Sequence, residues 1–312
     1  MRVGIIGRSS LMMNTIHEVR RRGYEVSFII TSKEAPEYEI CHQDFESIAI
    51  DIGCPYLYVD SSNKNQIEDF IQSCCPADVC LSVNYSGVIP EKIIKLFSIG
   101  ILNAHLGDLP KYRGNATGAW AILNGEERVG LCIHKMIGGE LDSGDIICKN
   151  YLEILDNTRV GELYEWMESE IPKQYIVALK RLHLDSKYVL EKQSKNPKFG
   201  LRTFSRQPKD GRVSFDKISL FVNRLINASS EPFSGAFAFF GDKIIIIWRS
   251  EILLVKDNYQ FVPGQIIEIN DLEGYVVVGC GDQTYLKLLD VEIDKKRGAP
   301  NMFFNSTRNR LT

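Results

Sequence analysis

The sequence predicts an α/β fold: a Rossmann-like, mostly parallel sheet with helices on both faces, followed by a small C-terminal β-barrel of OB-like type. Apolar segments of strand length alternate with helical segments through the first half of the chain. A segment rich in Pro, Gly and Lys follows, and the last third contains short strands separated by Gly and Asp turns. The 312 residues suffice for two domains, which we place at 1–200 and 201–312.

Five buried strands are predicted in the first half, with the sequences RVGIIG, YEVSFIIT, YLYVD, ADVCLSV and IGILNA. Between them, helices are predicted for SLMMNTIHEVRRRG, which ends at Gly23, and for NQIEDFIQSC and PEKIIKLF. A longer helix over roughly 160–182 closes this domain. Such alternation is typical of a parallel sheet covered on both faces, whose ligands bind beyond the carboxyl ends of the strands.

The second half begins with SKNPKFGLRTFSRQPKDGR, which is predicted to be a linker or a long functional loop. One helix, FDKISLFVNRLINA, then leads to the strand-like segments SGAFAFF, KIIIIWRSEILLV, GQIIEIN, GYVVVGC and TYLKLLDVEI. Short strands at this spacing favour a small barrel or sandwich.

Composition argues against several classes of protein. Hydrophobic residues make up 44% of the chain, charged residues 25%, and the formal net charge is −3, which disfavours a general binder of nucleic acid or of membrane surfaces. The first apolar run is too short for a signal peptide, and no apolar stretch approaches the ~20 residues of a membrane span. We therefore expect a cytoplasmic protein. The eight cysteines include no C-x-x-C pair, so we expect reduced thiols and no metal site.

Two polar residues stand where a predicted buried strand ends. In ILNAHLGDLPKYRG, Asn103 and His105 are two residues apart, so their side chains share one face of the strand. The loop GGELDSGD supplies Asp142, and SVNYSGVIP lies at the end of the preceding strand. Because adjacent strand ends converge at one edge of a sheet, we expect these groups to face one another.

An amide, an imidazole and a carboxylate suit a reaction that builds negative charge on an oxygen atom. The Asn103 amide can donate a hydrogen bond to the oxyanion, and the His105 imidazolium can donate another or supply a proton. The Asp142 carboxylate can orient and charge the imidazole, or relay protons through water. No Ser or Cys nucleophile belongs to the cluster, which favours direct attack by the substrate over a covalent enzyme intermediate.

Simpler interpretations of the same residues stay open. His105 alone could be a satisfied core histidine, Asp142 could cap a turn, and His134 fits packing within a strand, with at most a pocket-wall role. The segment GIIGRSS invites a dinucleotide-binding interpretation. It lacks the G-x-G-x-x-G glycines and an acidic residue at the end of the second strand, which ends at Thr31.

The motifs NAHLGDLPKYRG and GELDSGDII together resemble the Asn-x-His…Asp signature of enzymes that transfer the formyl group of N10-formyltetrahydrofolate. The later stretch from FSRQPKDGRVSF onward resembles the linker and C-terminal barrel of the methionyl-tRNA formyltransferases and their nucleotide-sugar relatives, so the resemblance covers almost the whole chain. It implies that Asn103 and His105 contact the formyl oxygen, with Asp142 beside His105. The residues that it implies for binding N10-formyltetrahydrofolate are Asn84, Tyr85, Ser86, Gly87 and Asp142.

The acceptor amine is where this chain departs from the tRNA enzymes. After His105 it has LGDLP, where those enzymes usually have Ser-Leu-Leu-Pro. They also carry a basic insertion after the second strand, whereas residues 32–50 here form an acidic segment that repels phosphates. This segment contains one positively charged residue, Lys33, and five negatively charged residues, Glu34, Glu37, Glu39, Asp44 and Glu46. From residue 201 on, positive and negative charges nearly balance, which suits a tRNA platform poorly.

The branch of the family that formylates nucleotide-linked amino sugars therefore fits best. It implies a 3- or 4-amino-dideoxyhexose or a 4-amino pentose as acceptor, destined for surface polysaccharide. The expected substrate-binding residues are Arg8, Ser9, Tyr112, Arg113, Trp120 and Arg206. We expect a homodimer that binds no nucleic acid, membrane or metal. The alternatives are a methionyl-tRNA formyltransferase and a catalytically idle binder of folate or a nucleotide sugar.

Overall fold

The computed structural model describes residues 1–36, 38–60, 64–254 and 259–312, so Glu37 of the acidic segment lies outside the described residues. The described chain divides into two units. The first unit comprises Met1–Thr117, Val129–Leu152 and Tyr164–Thr203, and the second unit comprises Gly118–Arg128, Glu153–Leu163 and Phe204–Thr312. Two internal segments thus group with the C-terminal residues, and the domain limits at residue 200 stay a prediction.

The first unit is built on a mixed sheet. Its strands are β1 (Arg2–Gly7), β2 (Glu25–Ser32), β3 (Tyr56–Val59), β4 (Val79–Val83), β5 (Gly100–Leu106), β6 (Arg113–Gly114), β7 (Arg128–Lys135), β8 (Ile146–Glu153) and β9 (Arg202–Thr203). The sheet order is β3-β2-β1-β4-β5-β7-β8, while β6 pairs with β9. Strands β1 to β5 pair in parallel, and β5 and β7 run antiparallel. The predicted mostly parallel sheet is confirmed.

The helices of the described chain are α1 (Ser10–Arg21), α2 (His42–Ile52), α3 (Ile67–Ser73), α4 (Glu91–Ile94), α5 (Thr117–Asn124), α6 (Val160–Leu184) and α7 (Ser219–Ser229). Helix α2 overlaps the second half of the acidic segment and is not predicted by the sequence pattern. It buries only Phe45, Ile48 and Ala49, so its apolar stripe is narrow, and Asp44 and Glu46 are exposed. None of the helices in the described ranges combines the length and the apolar character needed to cross a bilayer.

Helix α6 anchors the sheet at the edge that carries the predicted site. The Tyr175 side chain is fully buried, and its hydroxyl donates a hydrogen bond of 2.6 Å to the Ser82 carbonyl near the end of β4. Burial holds the pKa of the Tyr175 phenol well above its usual value, so the hydroxyl remains a donor. Ser82 pairs directly with Asn103 of β5. Tyr175 therefore fixes the backbone beside the predicted catalytic strand.

The second unit contains an antiparallel sheet. Its strands are β10 (Ala236–Phe240), β11 (Lys243–Leu253), β12 (Ile266–Ile269), β13 (Val276–Cys280), β14 (Thr284–Ile293) and β15 (Lys296–Gly298). The order is β10-β11-β14-β13-β12, with β15 beside β14. Helix α7 packs into the same core, where Val222 and Ile226 are fully buried with strand residues such as Leu286.

The last residues of the chain join the two ends of this sheet. Phe239 of β10 exchanges backbone hydrogen bonds of 2.7 and 2.9 Å with Thr312. On the other side, the Ile266 N–H of β12 donates to the Asn309 carbonyl, and the Leu311 N–H donates to the Gly264 carbonyl. Because β10 and β12 are the outer strands of the order, residues 309–312 close the sheet. The predicted C-terminal barrel is confirmed in this form.

Candidate active site

Strand β5 presents Asn103 and His105 on one face, as the two-residue spacing predicts. Its partner on that side is the antiparallel strand β7, which places Asn103 opposite His134 and His105 opposite Cys132. His105 is 7% exposed and His134 is 1% exposed, so the site is sheltered from water on the sheet side.

Asp142 approaches this face from the turn between β7 and β8. One carboxylate oxygen, Oδ2, lies 3.5 Å from His105 Nδ1, and the other, Oδ1, lies 3.4 Å from Asn103 Nδ2. The side chains of His105 and Asp142 are both less than a tenth exposed. The structure therefore brings the three residues together, with both strand side chains converging on one carboxylate.

The second nitrogen of His105 determines its tautomer. Nε2 lies 2.6 Å from the Tyr112 carbonyl oxygen, which can only accept, so Nε2 carries the hydrogen. Nδ1, which faces Asp142, is then the nitrogen that gains or loses a proton. Burial lowers the pKa of His105 below its ordinary value, and the Asp142 charge offsets this only in part. The imidazole is neutral at neutral pH, with Nδ1 available as a base.

The Asp142 carboxyl is ionised. Burial raises its pKa, but the neighbouring His105 and His134 imidazoles and a 3.0 Å hydrogen bond from the Gly114 N–H lower the pKa by more. The result is a pKa well below the usual aspartate value. A carboxylate held in this way is a weak base, and it can stabilise a positive charge on His105.

His134 is a fourth member of the cluster, to which the sequence pattern assigns packing and a pocket-wall role. Its Nε2 lies 3.3 Å from Asn103 Nδ2 and 3.4 Å from Asp142 Oδ1, while Nδ1 lies 3.0 Å from the Lys135 carbonyl. In the neutral tautomer Nδ1 donates to that carbonyl, and Nε2 accepts from the Asn103 amide. His134 therefore orients Asn103. Antiparallel pairing of β5 with β7 is the signal that would have identified it.

The loop from Gly107 to Gly114 supports His105 through its backbone. A Cβ at Gly107 would lie 2.7 Å from His105 Nε2, so only glycine leaves the ring its place. Tyr112 adopts a left-handed φ of +60°, and its side chain is 3% exposed. The group through which Tyr112 meets the site is its carbonyl, and a substrate contact by the Tyr112 ring stays a prediction.

The loop expected to hold the folate follows β4, the parallel neighbour of β5. Asn84 adopts φ +53°, and its side-chain amide donates to Ser9 Oγ at 3.3 Å. The Tyr85 ring lies so close to Gly87 that a Cβ there would be 2.8 Å from it. Ser86 hydrogen-bonds to Ser32 at 2.9 Å. This loop is placed at the site edge, and its binding role stays a prediction.

Arg8 and Ser9 follow β1. Arg8 Nε donates to the Asn84 carbonyl at 2.7 Å, Nη1 donates to the Lys33 carbonyl at 2.5 Å, and the guanidinium lies over the Tyr38 ring. Ser9 is buried, and its carbonyl accepts from the first turn of α1. These contacts tie the loops after β1, β2 and β4 together, an arrangement that the sequence pattern does not predict. Phosphate binding by the two residues stays a prediction.

The remaining expected substrate contacts are Arg113, Trp120 and Arg206. Arg113 in β6 donates to the Gln193 side chain within the first unit. Trp120 and Arg206 belong to the second unit, where Trp120 Nε1 donates to the Phe204 carbonyl and Arg206 donates to the Ala228 carbonyl near the end of α7. Their substrate roles stay predictions. Across the described ranges, no cluster of three or more His, Cys, Asp or Glu residues is arranged to hold a metal ion.

Two family models match this chain. The model described as "Formyl transferase" matches residues 1–179, and the model described as "Formyl transferase, C-terminal domain" matches residues 206–308. Among curated proteins, the methionyl-tRNA formyltransferase of Agathobacter rectalis is 24% identical over 304 residues, which cover 95% of this chain and 93% of that protein.

Solved structures share the fold. An N-formyltransferase from Helicobacter canadensis, in complex with folinic acid and dTDP-3-aminofucose, matches with a TM-score of 0.64 and 16% identity over 92% of this chain and 98% of its own. HypX from Aquifex aeolicus, in complex with tetrahydrofolic acid, matches with a TM-score of 0.62 and 17% identity over 98% of this chain. This chain spans about half of HypX, since the match covers 47% of that chain. At such identities, the likeness shows the fold alone.

Proposed function

This chain belongs to the formyl transferase family, and we propose that it transfers a formyl group from N10-formyltetrahydrofolate to the amine of a nucleotide-linked amino-deoxy sugar. The observation that carries the proposal is the convergence of Asn103 and His105 on the Asp142 carboxylate. The acceptor is a 3- or 4-amino-dideoxyhexose or a 4-amino pentose, and its product supplies surface polysaccharide.

The reaction begins with attack of the neutral acceptor amine on the formyl carbon. The carbonyl electron pair moves to the formyl oxygen, which becomes an oxyanion, while the attacking nitrogen becomes positively charged. The Asn103 amide donates to this oxyanion. Its present contacts with His134 and Asp142, at 3.3 and 3.4 Å, are long for hydrogen bonds, so one of them is readily exchanged for a shorter bond to a charged oxygen.

His105 then moves the proton. Nδ1 takes the proton of the attacking nitrogen, and the resulting imidazolium is stabilised by Asp142 at 3.5 Å. When the oxyanion collapses, the bond from the formyl carbon to N10 breaks, and N10 receives that proton. The products are the formamide of the sugar and tetrahydrofolate. The lowered pKa of His105 suits this role, because a base must be unprotonated before the amine attacks.

Two observations support the donor and the acceptor. The loop at 84–87 lies beside the catalytic strand, and the matching structures of HypX and of the Helicobacter canadensis enzyme were solved with folates bound. The Helicobacter canadensis enzyme also binds a dTDP-linked amino sugar, and its length matches that of this chain. The acidic residues Asp44 and Glu46 of α2 are exposed, and exposed carboxylates repel a tRNA backbone.

Methionyl-tRNA is the second candidate acceptor, because the curated relative formylates it by name and aligns over almost the whole chain. The two acceptors differ in salt dependence. Binding to tRNA weakens steeply as the salt concentration rises, because the release of counterions that drives it becomes less favourable, whereas a nucleoside diphosphate carries few charges.

The test is a mass-spectrometric assay of the purified protein with N10-formyltetrahydrofolate. The acceptors are dTDP-, UDP- and GDP-linked amino sugars, with initiator methionyl-tRNA as competitor. A sugar product with one added formyl group, absent with Asn103→Ala, supports the proposal and names the acceptor. Formylated tRNA without sugar product overturns the proposal in favour of the second candidate. Folate binding without product on any acceptor supports the idle binder.

A further inference from the structure

Gln193 makes four hydrogen bonds around the turn that carries Asp142. The residue follows α6 and is 9% exposed. Its Nε2 donates to the carbonyls of Asp142 and Gly144 at 2.9 and 2.7 Å, and its Oε1 accepts from Arg113 Nε and Nη2 at 3.2 and 2.8 Å. Every donor and acceptor position of the amide is used, and a flipped amide would set donors against the guanidinium.

We propose that Gln193 is a positioning residue for formyl transfer, which clamps the Asp142 turn to strand β6 and thereby holds the Asp142 carboxylate against His105. The proposal rests on the proposed function of this site. Gln193 acts through Asp142 and is not itself a contact of the reacting atoms.

The geometry forms a closed ring of contacts. His105 Nε2 donates to the Tyr112 carbonyl, and two residues later the Gly114 N–H donates to Asp142 Oδ2 at 3.0 Å. Gln193 joins the same strand to the Asp142 backbone through Arg113. Hydrogen bonds to both the side chain and the main chain of Asp142 therefore fix the position of its carboxylate relative to the His105 imidazole.

The Asp142 turn needs such a clamp. Asp142 adopts φ +48°, a left-handed conformation that most side chains disfavour and that Asp tolerates better than most, so contacts to its turn help to hold it. The turn is also tightly packed, because a Cβ at Gly144 would collide with the Lys135 carbonyl. Removing Gln193 would leave the two carbonyls without the donor that the structure gives them.

The backbone of Gln193 is itself anchored. Two residues earlier, Glu191 pairs with Ile146 at the start of β8 through hydrogen bonds of 2.9 and 3.2 Å. The segment after α6 is thus tied to the strand that leaves the Asp142 turn. The side-chain amide of Gln193 therefore contacts the Asp142 turn from an anchored backbone.

Two substitutions separate the roles of the amide. Gln193→Leu removes all four bonds, whereas Gln193→Glu keeps an acceptor for Arg113 and sets a carboxylate against the two carbonyls. Positioning of Asp142 predicts that both variants lose about 10- to 50-fold in kcat, no more than the loss expected for Asp142→Asn, with KM for donor and acceptor within about threefold. Gln174→Leu is the matched control, because Gln174 in α6 donates a comparable 2.7 Å bond to Glu170, and its kcat should stay within about twofold.

A double-mutant cycle distinguishes positioning of Asp142 from a merely structural role of Gln193. In the Asp142→Asn background, Gln193→Leu should cost less than about threefold in kcat, because the group that it positions is already lost. Full additivity of the two losses would overturn the proposal. So would a Gln193→Glu variant with the kcat of the parent protein, which would show that only the Arg113 contact matters.

A measurement that needs no acceptor separates this proposal from the proposed function. The pKa of His105 can be followed by NMR of protein labelled with ¹⁵N-histidine, and the charged or titratable groups that face its ring are Asp142 and His134. Since the Asp142 charge raises the pKa of His105, Gln193→Leu should lower it towards the value in Asp142→Asn. An unchanged pKa would overturn the clamp even if the acceptor assignment failed.

Discussion

Replacing Asp142 by Asn removes a charge while keeping the shape of the side chain, so it isolates the electrostatic role of the carboxylate. In the proposed reaction, His105 becomes positively charged as it takes the amine proton. At the 3.5 Å between His105 Nδ1 and Asp142 Oδ2, and with an effective dielectric constant of about 20, a full pair of charges is worth about 5 kcal/mol. Both side chains are less than a tenth exposed, so solvent screens little of this.

The transition state realises only part of that interaction. If half of the charge has developed on the imidazole, about 2.4 kcal/mol of stabilisation is lost, which corresponds to a decrease in kcat of roughly 50-fold. This electrostatic loss acts on kcat, because the charge on His105 is absent when substrates bind. Without the anion, the pKa of His105 falls further, so the acidic limb of the kcat profile moves to lower pH.

The assay is steady-state formyl transfer measured from pH 5 to 9, with thermal unfolding to confirm the fold. Glu140→Gln is the matched control, since Glu140 lies on the same turn and bonds to Ser143 instead of an imidazole. A kcat for Asp142→Asn within threefold of the Glu140→Gln value would refute the argument. If the acidic limb of the kcat profile did not move, proton transfer through His105 would be refuted.

Further expectations concern the strand and loop. Asn103→Ala should lower kcat by about 10²–10³ through loss of an oxyanion donor, while binding of tetrahydrofolate, measured by calorimetry, persists. Gly107→Ala forces a Cβ to within 2.7 Å of His105 Nε2 and should cost about 1–3 kcal/mol in the free energy of unfolding, read from urea titrations. Stability should also respond to acid. Because the folded pKa of His105 lies below its unfolded value of about 6.5, stability falls as pH drops below that value, and His105→Gln should flatten the fall between pH 7 and 5 in thermal unfolding.

The sequence predicts well the strand that carries Asn103 and His105, because the evidence is local. An apolar run ends at two polar residues that are two positions apart, so their side chains point to the same face of a strand. This pattern involves only a few neighbouring positions, and it correctly places Asn103 and His105 on one face of β5. Asp142 could be anticipated because strand ends converge at one edge of a sheet. The spacing of residues in the sequence does not reveal that the side chains of Asn103 and His105 both converge on Asp142, because this depends on the three-dimensional geometry.

Residues that act through long-range pairing escape the sequence pattern. His134 lies opposite Asn103 because β7 runs antiparallel to β5, whereas the other neighbour of β5, strand β4, runs parallel to it. Gln193 is an uncharged residue in a polar segment, and nothing local distinguishes it from solvent-exposed neighbours. Tyr112 contacts His105 through its main-chain carbonyl, and a main-chain contact cannot be predicted from the type of side chain.

The closure of the second unit by its last residues has a consequence for association between molecules. An open sheet presents unpaired N–H and C=O groups along its outer strands, and such rows template pairing with another chain. Here Phe239 and Ile266, on the two outer strands, already bond to residues 309–312. Residues 309–312 therefore occupy main-chain groups of both outer strands, and a substitution that displaced them would expose these groups to pairing with another chain.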